Sequence, residues 1–241
     1  MTSHSESRDL VYWAGDRRYV GTLVPAVAEP RAAAVLLPDW RGRSHLALDH
    51  AGHLASAGCA VLVADLYGDG LNPTDPEQVG PMVQHLLTHR ADGVAALSAA
   101  VEALRQEAGP TLRVLTVGFS AGAVAALDHA RRTREVAAVG ICSGLLKTAE
   151  PHTPTRVEAS VLLVQGTQDE VSPMAAIADL VAEADAAGND VRLLLLTQTH
   201  HAYDNPDVGT DPKARLVYSE RSAVRMRRAL TELVDEVCEG A

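Results

Sequence analysis

The sequence predicts an α/β fold in which helices cover both faces of a mostly parallel central sheet. Strand-like apolar runs alternate with Ala/Leu-rich helical runs, and most of the strand-like runs are apolar almost throughout. Strands that are buried on both faces have this composition, and right-handed helical crossovers connect parallel strands. The 241 residues, of which 47% are hydrophobic, are enough for one domain that spans residues 1–241.

The alternation predicts seven strands and five helices. Strands are expected at residues 19–24, 33–38, 60–65, 113–117, 136–142, 160–165 and 190–196. Helices are expected at residues 48–57, 80–107, 121–132, 173–187 and 214–239, and Gly58, just after the first, is a usual helix-ending residue. The polar first ten residues are expected to be flexible. Ligands of such sheets bind beyond the carboxyl ends of the strands, so functional side chains are expected in the loops that follow the strands.

Charge and composition exclude several classes of protein. The formal net charge is −10, and the one basic concentration, at residues 221–228, is flanked by acidic residues. Phosphate contacts need a basic face, so nucleic-acid binding is not expected. The polar N-terminus has no apolar secretion segment, and no apolar run is long enough to cross a membrane. The three cysteines lack paired or metal-like spacing, which fits a reducing compartment, so we expect a cytoplasmic protein.

A serine between two glycines is the first candidate functional residue. The strand expected at 113–117 runs into the sequence GFSAG, which places Ser120 between Gly118 and Gly122 at the start of a helix. This is the context of a nucleophile elbow, where residues without Cβ let strand and helix approach closely around a strained serine. The same local sequence also fits an alternative in which Ser120 is only a polar residue near the N-cap of the helix.

Two later loops carry the partners that a nucleophilic serine needs. Asp169 follows the strand expected at 160–165, and His200 and His201 follow the strand expected at 190–196. The order Ser, Asp, His is that of the α/β-hydrolases, in which the histidine takes the serine proton and the acid orients the histidine. Glu170 is a competing acid, Asp169 is also a common turn residue, and spacing does not choose between the two histidines.

Four segments make the sequence resemble the dienelactone hydrolase family of α/β-hydrolases. They are DLYGDG at residues 65–70, GFSAG at 118–122, GTQDEVSP at 166–173 and HAYDNP at 201–206. The likeness runs from about residue 33 to residue 206 in the family's order. It implies an α/β-hydrolase fold and a triad of Ser120, His201 and Asp169, because the family's His-Ala-aromatic motif falls on His201.

An oxyanion hole needs backbone N–H groups that face the developing negative charge. Ala121, directly after the serine at the start of its helix, is expected to supply one such group. The resemblance places the second at Trp40 and makes Asp39 the counterpart of the family's glutamate. Further candidate pocket residues are Arg41, Tyr67, Phe119 and Tyr203.

Two departures limit what the resemblance implies. Dienelactone hydrolase itself uses a cysteine nucleophile with a glutamate beside it, whereas this chain has Ser120 and the shorter Asp39. The arginine that binds the substrate carboxylate after the histidine has no counterpart in HAYDNP. The thiol-activating shuttle and the preference for anionic dienelactones are therefore not carried over.

The leading hypothesis is a serine hydrolase for an ester, lactone or thioester of a small to medium substrate, with no metal or organic cofactor. The alternatives are the same triad used for acyl transfer, cyclisation or isomerisation, and a ligand-binding module with little turnover. The loops at 67–80 and 143–156 are expected to shape the pocket, and the low aromatic content predicts aliphatic walls. The sequence does not indicate an oligomeric state. Several histidines are expected on helix surfaces rather than as ligands: His45, His50, His53, His85 and His89.

Overall fold

A computed structural model of the protein describes residues 6–146 and 155–240. Its centre is one sheet built from β1 Arg8–Ala14, β2 Arg17–Val24, β3 Ala32–Leu37, β4 Cys59–Val63, β5 Val114–Phe119, β6 Ala138–Cys142, β7 Ser160–Gly166 and β8 Val191–Leu196. The strand order is β1-β2-β4-β3-β5-β6-β7-β8. The pairs β1–β2 and β2–β4 are antiparallel, and all other pairs are parallel.

Six α-helices are described, of which the first five lie between parallel strands in the chain and the sixth follows β8. They are α1 His45–Ser56, α2 Pro76–Thr88, α3 Arg90–Ala108, α4 Ala121–Arg132, α5 Met174–Ala187 and α6 Glu220–Glu239, with a short 3₁₀ helix at Pro206–Val208. Local sequence sets several ends. The Ser44 side chain accepts a hydrogen bond from the Ala47 N–H at the start of α1, and Gly188 ends α5 in the left-handed conformation.

The core lies on both faces of the sheet. Strands β3, β4, β5 and β6 are buried at every position, as their continuous apolar sequences predict. Successive strand residues point to opposite faces, so Leu162 belongs to the core beneath α1 and α6, whereas Leu163 belongs to the core beneath α3, α4 and α5. The predicted α/β class with a mostly parallel sheet is confirmed.

Two sequence predictions about the elements are wrong. The first ten residues are not all flexible, because Arg8, Asp9 and Leu10 belong to β1, which forms a hairpin with β2 across Gly15 and Asp16. Gly15 has φ +59°, the sign that tight hairpin turns require.

The single helix predicted at 80–107 is two helices, α2 and α3. They meet at His89, whose backbone, with φ −106° and ψ 56°, leaves the helical region.

None of the described helices combines the length and apolar character needed to cross a bilayer. The pocket loop expected at 143–156 is described only at its two ends, and its residues 147–154 lie outside the described part of the chain.

Candidate active site

Ser120 occupies a strained turn between β5 and α4. Its φ of +48° and ψ of −110° are uncommon for a residue with a side chain. Neighbouring backbone holds this conformation: the Ser120 N–H donates to the Cys142 carbonyl at 3.1 Å, and the Ser120 carbonyl accepts from the Leu145 N–H at 3.1 Å. The turn presents the serine hydroxyl beyond the carboxyl end of the sheet, as the elbow motif predicts.

The two glycines of the motif allow the close approach of strand and helix. A Cβ atom on Gly118 would lie 2.6 Å from the Cα of Ala123, and one on Gly122 would lie 2.5 Å from the carbonyl oxygens of Leu37 and Pro38. Ordinary Cβ contacts are longer, so only glycine fits at either position without moving backbone.

A chain of two hydrogen bonds connects the serine to a buried carboxylate. The Ser120 Oγ lies 3.0 Å from His201 Nε2, and His201 Nδ1 lies 2.8 Å from Asp169 Oδ2. His201 and Asp169 are both buried. His201, rather than its neighbour His200, makes both contacts, and Asp169 rather than the exposed Glu170 faces it. The structure thus brings together the three side chains predicted from three separate loops.

Asp169 is fixed as a hydrogen-bond acceptor. Its Oδ1 accepts from the N–H groups of Val171 and Ser172 at 2.8 and 2.9 Å, and its Oδ2 accepts from Gln165 Nε2 at 2.6 Å. Gln165 in turn accepts from the Gly144 N–H at 3.1 Å through its other amide atom. The fully buried Gln165 therefore positions the carboxylate that faces His201, a role that the sequence analysis missed.

Of the two candidate oxyanion donors, Trp40 lines the cavity at Ser120, and Ala121 directly follows Ser120 in the chain. Ala121 begins α4, where amide groups have no partner within the helix, and no described residue accepts a hydrogen bond from the Trp40 N–H. The Trp40 loop is held in shape by Tyr67, whose hydroxyl donates to the Trp40 carbonyl at 2.7 Å, and by Asp39, whose Oδ1 accepts from the Arg41 N–H at 2.9 Å.

A cavity of about 280 Å³ opens onto the serine. Charged and aromatic side chains line it together with aliphatic ones, so its walls are not mainly aliphatic as predicted. Its lining includes Asp39, Trp40, Arg41, Phe119, Asp204 and Asp207. Of the predicted pocket residues, Asp39, Arg41 and Phe119 line this cavity.

Two predicted pocket residues lie elsewhere. Tyr203 is fully buried, and its hydroxyl donates to the Val164 carbonyl, so it packs in the core behind the site. Burial raises the pKa of the Tyr203 hydroxyl well above its ordinary value. Tyr67 lines a separate, larger cavity of about 470 Å³ under α2 that includes no member of the Ser-His-Asp set. The chemistry therefore belongs to the smaller cavity.

His50 and Asp204 form a buried pair beside the site. His50 Nε2 lies 2.8 Å from Asp204 Oδ2, and the His50 ring stacks on Phe119 with centroids 4.1 Å apart. Burial opposes ionisation of Asp204, but the hydrogen bond and charge of His50 outweigh it and hold the pKa of Asp204 below its ordinary value. The expectation that His50 lies on a helix surface is wrong, because its side of α1 faces the core.

The described residues contain no group of three or more His, Cys, Asp and Glu side chains arranged to hold a metal ion. The arrangement around Ser120 instead supports proton transfer and nucleophilic attack, since it aligns a hydroxyl, an imidazole and a carboxylate.

The sheet order and the elbow between β5 and α4 define the α/β-hydrolase fold. The sequence model of the dienelactone hydrolase family matches residues 20–238, and the chain belongs to this family. No curated protein matches the chain.

Solved structures cover nearly the whole chain. A protein named m3DLH is 28% identical, with a TM-score of 0.86 over 96% of this chain and 98% of that one. A dienelactone hydrolase-like promiscuous phosphotriesterase from metagenomic libraries is 24% identical, with a TM-score of 0.85 over the same shares. An α/β serine hydrolase without a lid from Xanthomonas campestris is 18% identical, with a TM-score of 0.68 over 96% and 95% of the two chains. The similarity to the last two structures, at 24% and 18% identity, shows a shared fold.

Proposed function

We propose that the protein is a serine hydrolase that cleaves an ester, lactone or thioester of a small to medium substrate through an acyl-enzyme on Ser120. The observation that carries the proposal is the unbroken hydrogen-bond chain from Ser120 Oγ through His201 to Asp169, with distances of 3.0 and 2.8 Å. A serine hydroxyl becomes a useful nucleophile when such a base is within hydrogen-bond reach.

In the acylation step, His201 Nε2 accepts the proton of Ser120 as Oγ attacks the carbonyl carbon. The Ala121 and Trp40 N–H groups stabilise the resulting oxyanion, and Asp169 stabilises the imidazolium. Collapse of the tetrahedral intermediate breaks the bond to the leaving group, which takes the proton from His201. An alcohol or thiol departs, or the ring of a lactone opens.

In the deacylation step, His201 accepts a proton from water, and the hydroxide attacks the acyl carbon of the ester on Ser120. The same N–H groups hold the second oxyanion. The bond from the acyl carbon to Oγ then breaks, and His201 returns the proton to Oγ. The products are a carboxylic acid and the restored serine.

Product analysis tests this proposal. Wild type should convert p-nitrophenyl butyrate and one water to butyric acid and p-nitrophenol, and δ-valerolactone to 5-hydroxypentanoic acid, which carries the mass of one added water. Ser120→Ala and His201→Ala should each lower kcat at least about a thousandfold, because the residues of such a triad act as a unit. Ser56→Ala, a change on the exposed side of α1, is the matched control and should retain wild-type turnover.

Turnover that survives in Ser120→Ala would contradict the proposal. Masses that show transfer to an added alcohol, or ring closure, in place of water addition would favour acyl transfer or cyclisation by the same triad. Ligand uptake without any acyl-enzyme would favour a binding module.

A further inference from the structure

We propose that the Ser120 cavity selects uncharged esters or lactones over anionic ones, and that Asp39 is the residue that sets this selectivity. This inference rests on the proposed function and names the charge class of its substrate. The observation behind it is an ion pair within the cavity wall: the guanidinium that could bind a substrate carboxylate is already held by carboxylates of the protein.

Arg41 is the one cationic side chain among the described residues that line the cavity, apart from histidine. Its Nη2 lies 2.7 Å from Asp39 Oδ2, and its Nε lies 3.1 Å from the same oxygen. Such charge-assisted, two-point contacts are the strong ones. The side chains of Asp39 and Arg41 are only 17% and 18% exposed, so water screens the pair less than it screens a surface ion pair.

The pair is also favoured by its position in the chain. Asp39 and Arg41 belong to one turn, in which Asp39 Oδ1 accepts from the Arg41 N–H at 2.9 Å. Little chain entropy is lost in bringing the two side chains together, because the turn already aligns them. An incoming substrate carboxylate has to displace a partner that is attached to the same loop.

Further carboxylates face the same cavity. Asp207 Oδ2 lies 3.6 Å from Arg41 Nη1 and 3.1 Å from Nε2 of the exposed His45. Asp204 also borders the cavity, but it is already paired with the buried His50. Asp39 and Asp207 are therefore the carboxylates that oppose a further negative charge beside the single guanidinium. These carboxylates repel an anionic substrate in the cavity. The repulsion is stronger than it would be in bulk water, because partly buried charges are less screened. An uncharged substrate meets neither the repulsion nor the need to break the pair.

Matched esters that differ in one charge test the proposal. The substrates are the p-nitrophenyl half-ester of adipic acid and its methyl-capped diester, with the suberic acid pair as a longer set. We expect wild type to favour each methyl-capped ester at least about tenfold in kcat/KM. Asp39→Asn should raise the relative kcat/KM of the half-ester about tenfold, because it frees Arg41, while its amide oxygen can still accept from the Arg41 N–H.

The double variant Asp39→Asn/Arg41→Gln is the matched control. The double variant should not show the higher relative kcat/KM of the half-ester, because the guanidinium that Asp39→Asn frees is absent. The ratio of two substrates on one enzyme is unaffected by a general loss of activity or of folded protein. Asp39 acts here by occupying Arg41 and not by contact with the reacting atoms.

A wild-type ratio near one, faster turnover of the half-esters, or an Asp39→Asn ratio equal to that of wild type would each overturn the inference while turnover still depends on Ser120. Faster turnover of the half-esters would indicate that a substrate carboxylate displaces Asp39 from Arg41. Absence of Ser120-dependent turnover of all four esters would overturn the proposed function and this inference with it.

Discussion

At the scale of single residues, backbone strain is concentrated around the Ser120 cavity. Ser120, Ser143 and Ala202 all have positive φ, between +47° and +57°, and all three line the cavity. Such conformations persist only where the surrounding structure enforces them, as the hydrogen bonds of Ser120 do. Two of these strained residues belong to the hydrogen-bonded set or adjoin it: Ser120 itself, and Ala202 directly after His201.

The hydrogen-bonded set of Ser120, His201 and Asp169 could be predicted from the sequence because each residue follows its own strand. Gln165 and His50 could not be predicted in the same way, since their partners are set by packing; His50 and Asp204 are 154 positions apart. One signal for His50 was available. It lies four residues after Leu46 and four before Leu54, on the buried face of α1.

The buried pair of His50 and Asp204 supports a prediction about stability. Asp204→Ala should lower the free energy of unfolding by about 3 kcal/mol, because it leaves the buried His50 without its hydrogen-bond partner. Asp207→Ala, three positions away at a side chain that is 54% exposed, should lower it by less than about 1 kcal/mol. Urea unfolding of both variants measures the difference. Equal losses would show that burial of the pair does not matter.

At the scale of elements, the elbow between β5 and α4 tolerates no side chain at Gly122. Gly122→Ala should lower the free energy of unfolding by about 1–3 kcal/mol, because the new Cβ would lie 2.5 Å from two carbonyl oxygens. Gly52→Ala in α1 is the control. Its Cβ would meet nothing within 4 Å, so the better helix propensity of alanine should raise stability by about 0.5–1 kcal/mol.

Thermal or urea unfolding of the two glycine variants tests this prediction. The free energy of unfolding is expected to fall in Gly122→Ala and to rise in Gly52→Ala. A Gly122→Ala protein as stable as wild type would mean that the elbow can move away from the strand end.

Most elements could be predicted from periodicity, and the exceptions have physical reasons. The hairpin strand β1 was missed because an edge strand shows only partial burial, with Tyr12 its one buried residue. The break at His89 carries no proline or glycine, so the continuous helical pattern of residues 80–107 concealed it. The charge pairing of Arg41 likewise depends on loop geometry that no periodicity reveals.

At the scale of the whole molecule, buried charges tie the helices behind the elbow together. Arg90 of α3 pairs with Asp128 of α4, and Arg131 of α4 contacts Glu183 of α5 at 2.6 Å. The side chains of Arg90 and Asp128 are almost completely buried. The helix that begins directly after Ser120 is thus fixed to its neighbours on both sides by ion pairs as well as by apolar packing.

His129 of α4 makes stability depend on pH. Burial lowers its pKa, against the opposing effect of Glu135, and the charge of Arg105 lowers it further. Its folded pKa is below the unfolded value of about 6.5, so the unfolded chain binds the proton more readily, and stability falls as the pH drops below about 6.5. His129→Gln should therefore lose less stability than wild type between pH 7.5 and pH 5.5.

Urea midpoints at these two pH values provide the test of the His129 prediction. His53, whose pKa burial also lowers, contributes in the same direction and remains in both proteins. If the variant and wild type lost the same stability between pH 7.5 and pH 5.5, His129 would not be a cause of the pH dependence.

The central claim is that Ser120 is a nucleophile activated by His201. Intact-protein mass spectrometry after brief exposure to a fluorophosphonate tests it most directly, in wild type, Ser120→Ala and His201→Ala. The account predicts one adduct on wild type, located at Ser120 by peptide mapping, no adduct on Ser120→Ala, and strongly slowed labelling of His201→Ala. Unlabelled wild type, or labelling that persists unchanged in either variant, would contradict it.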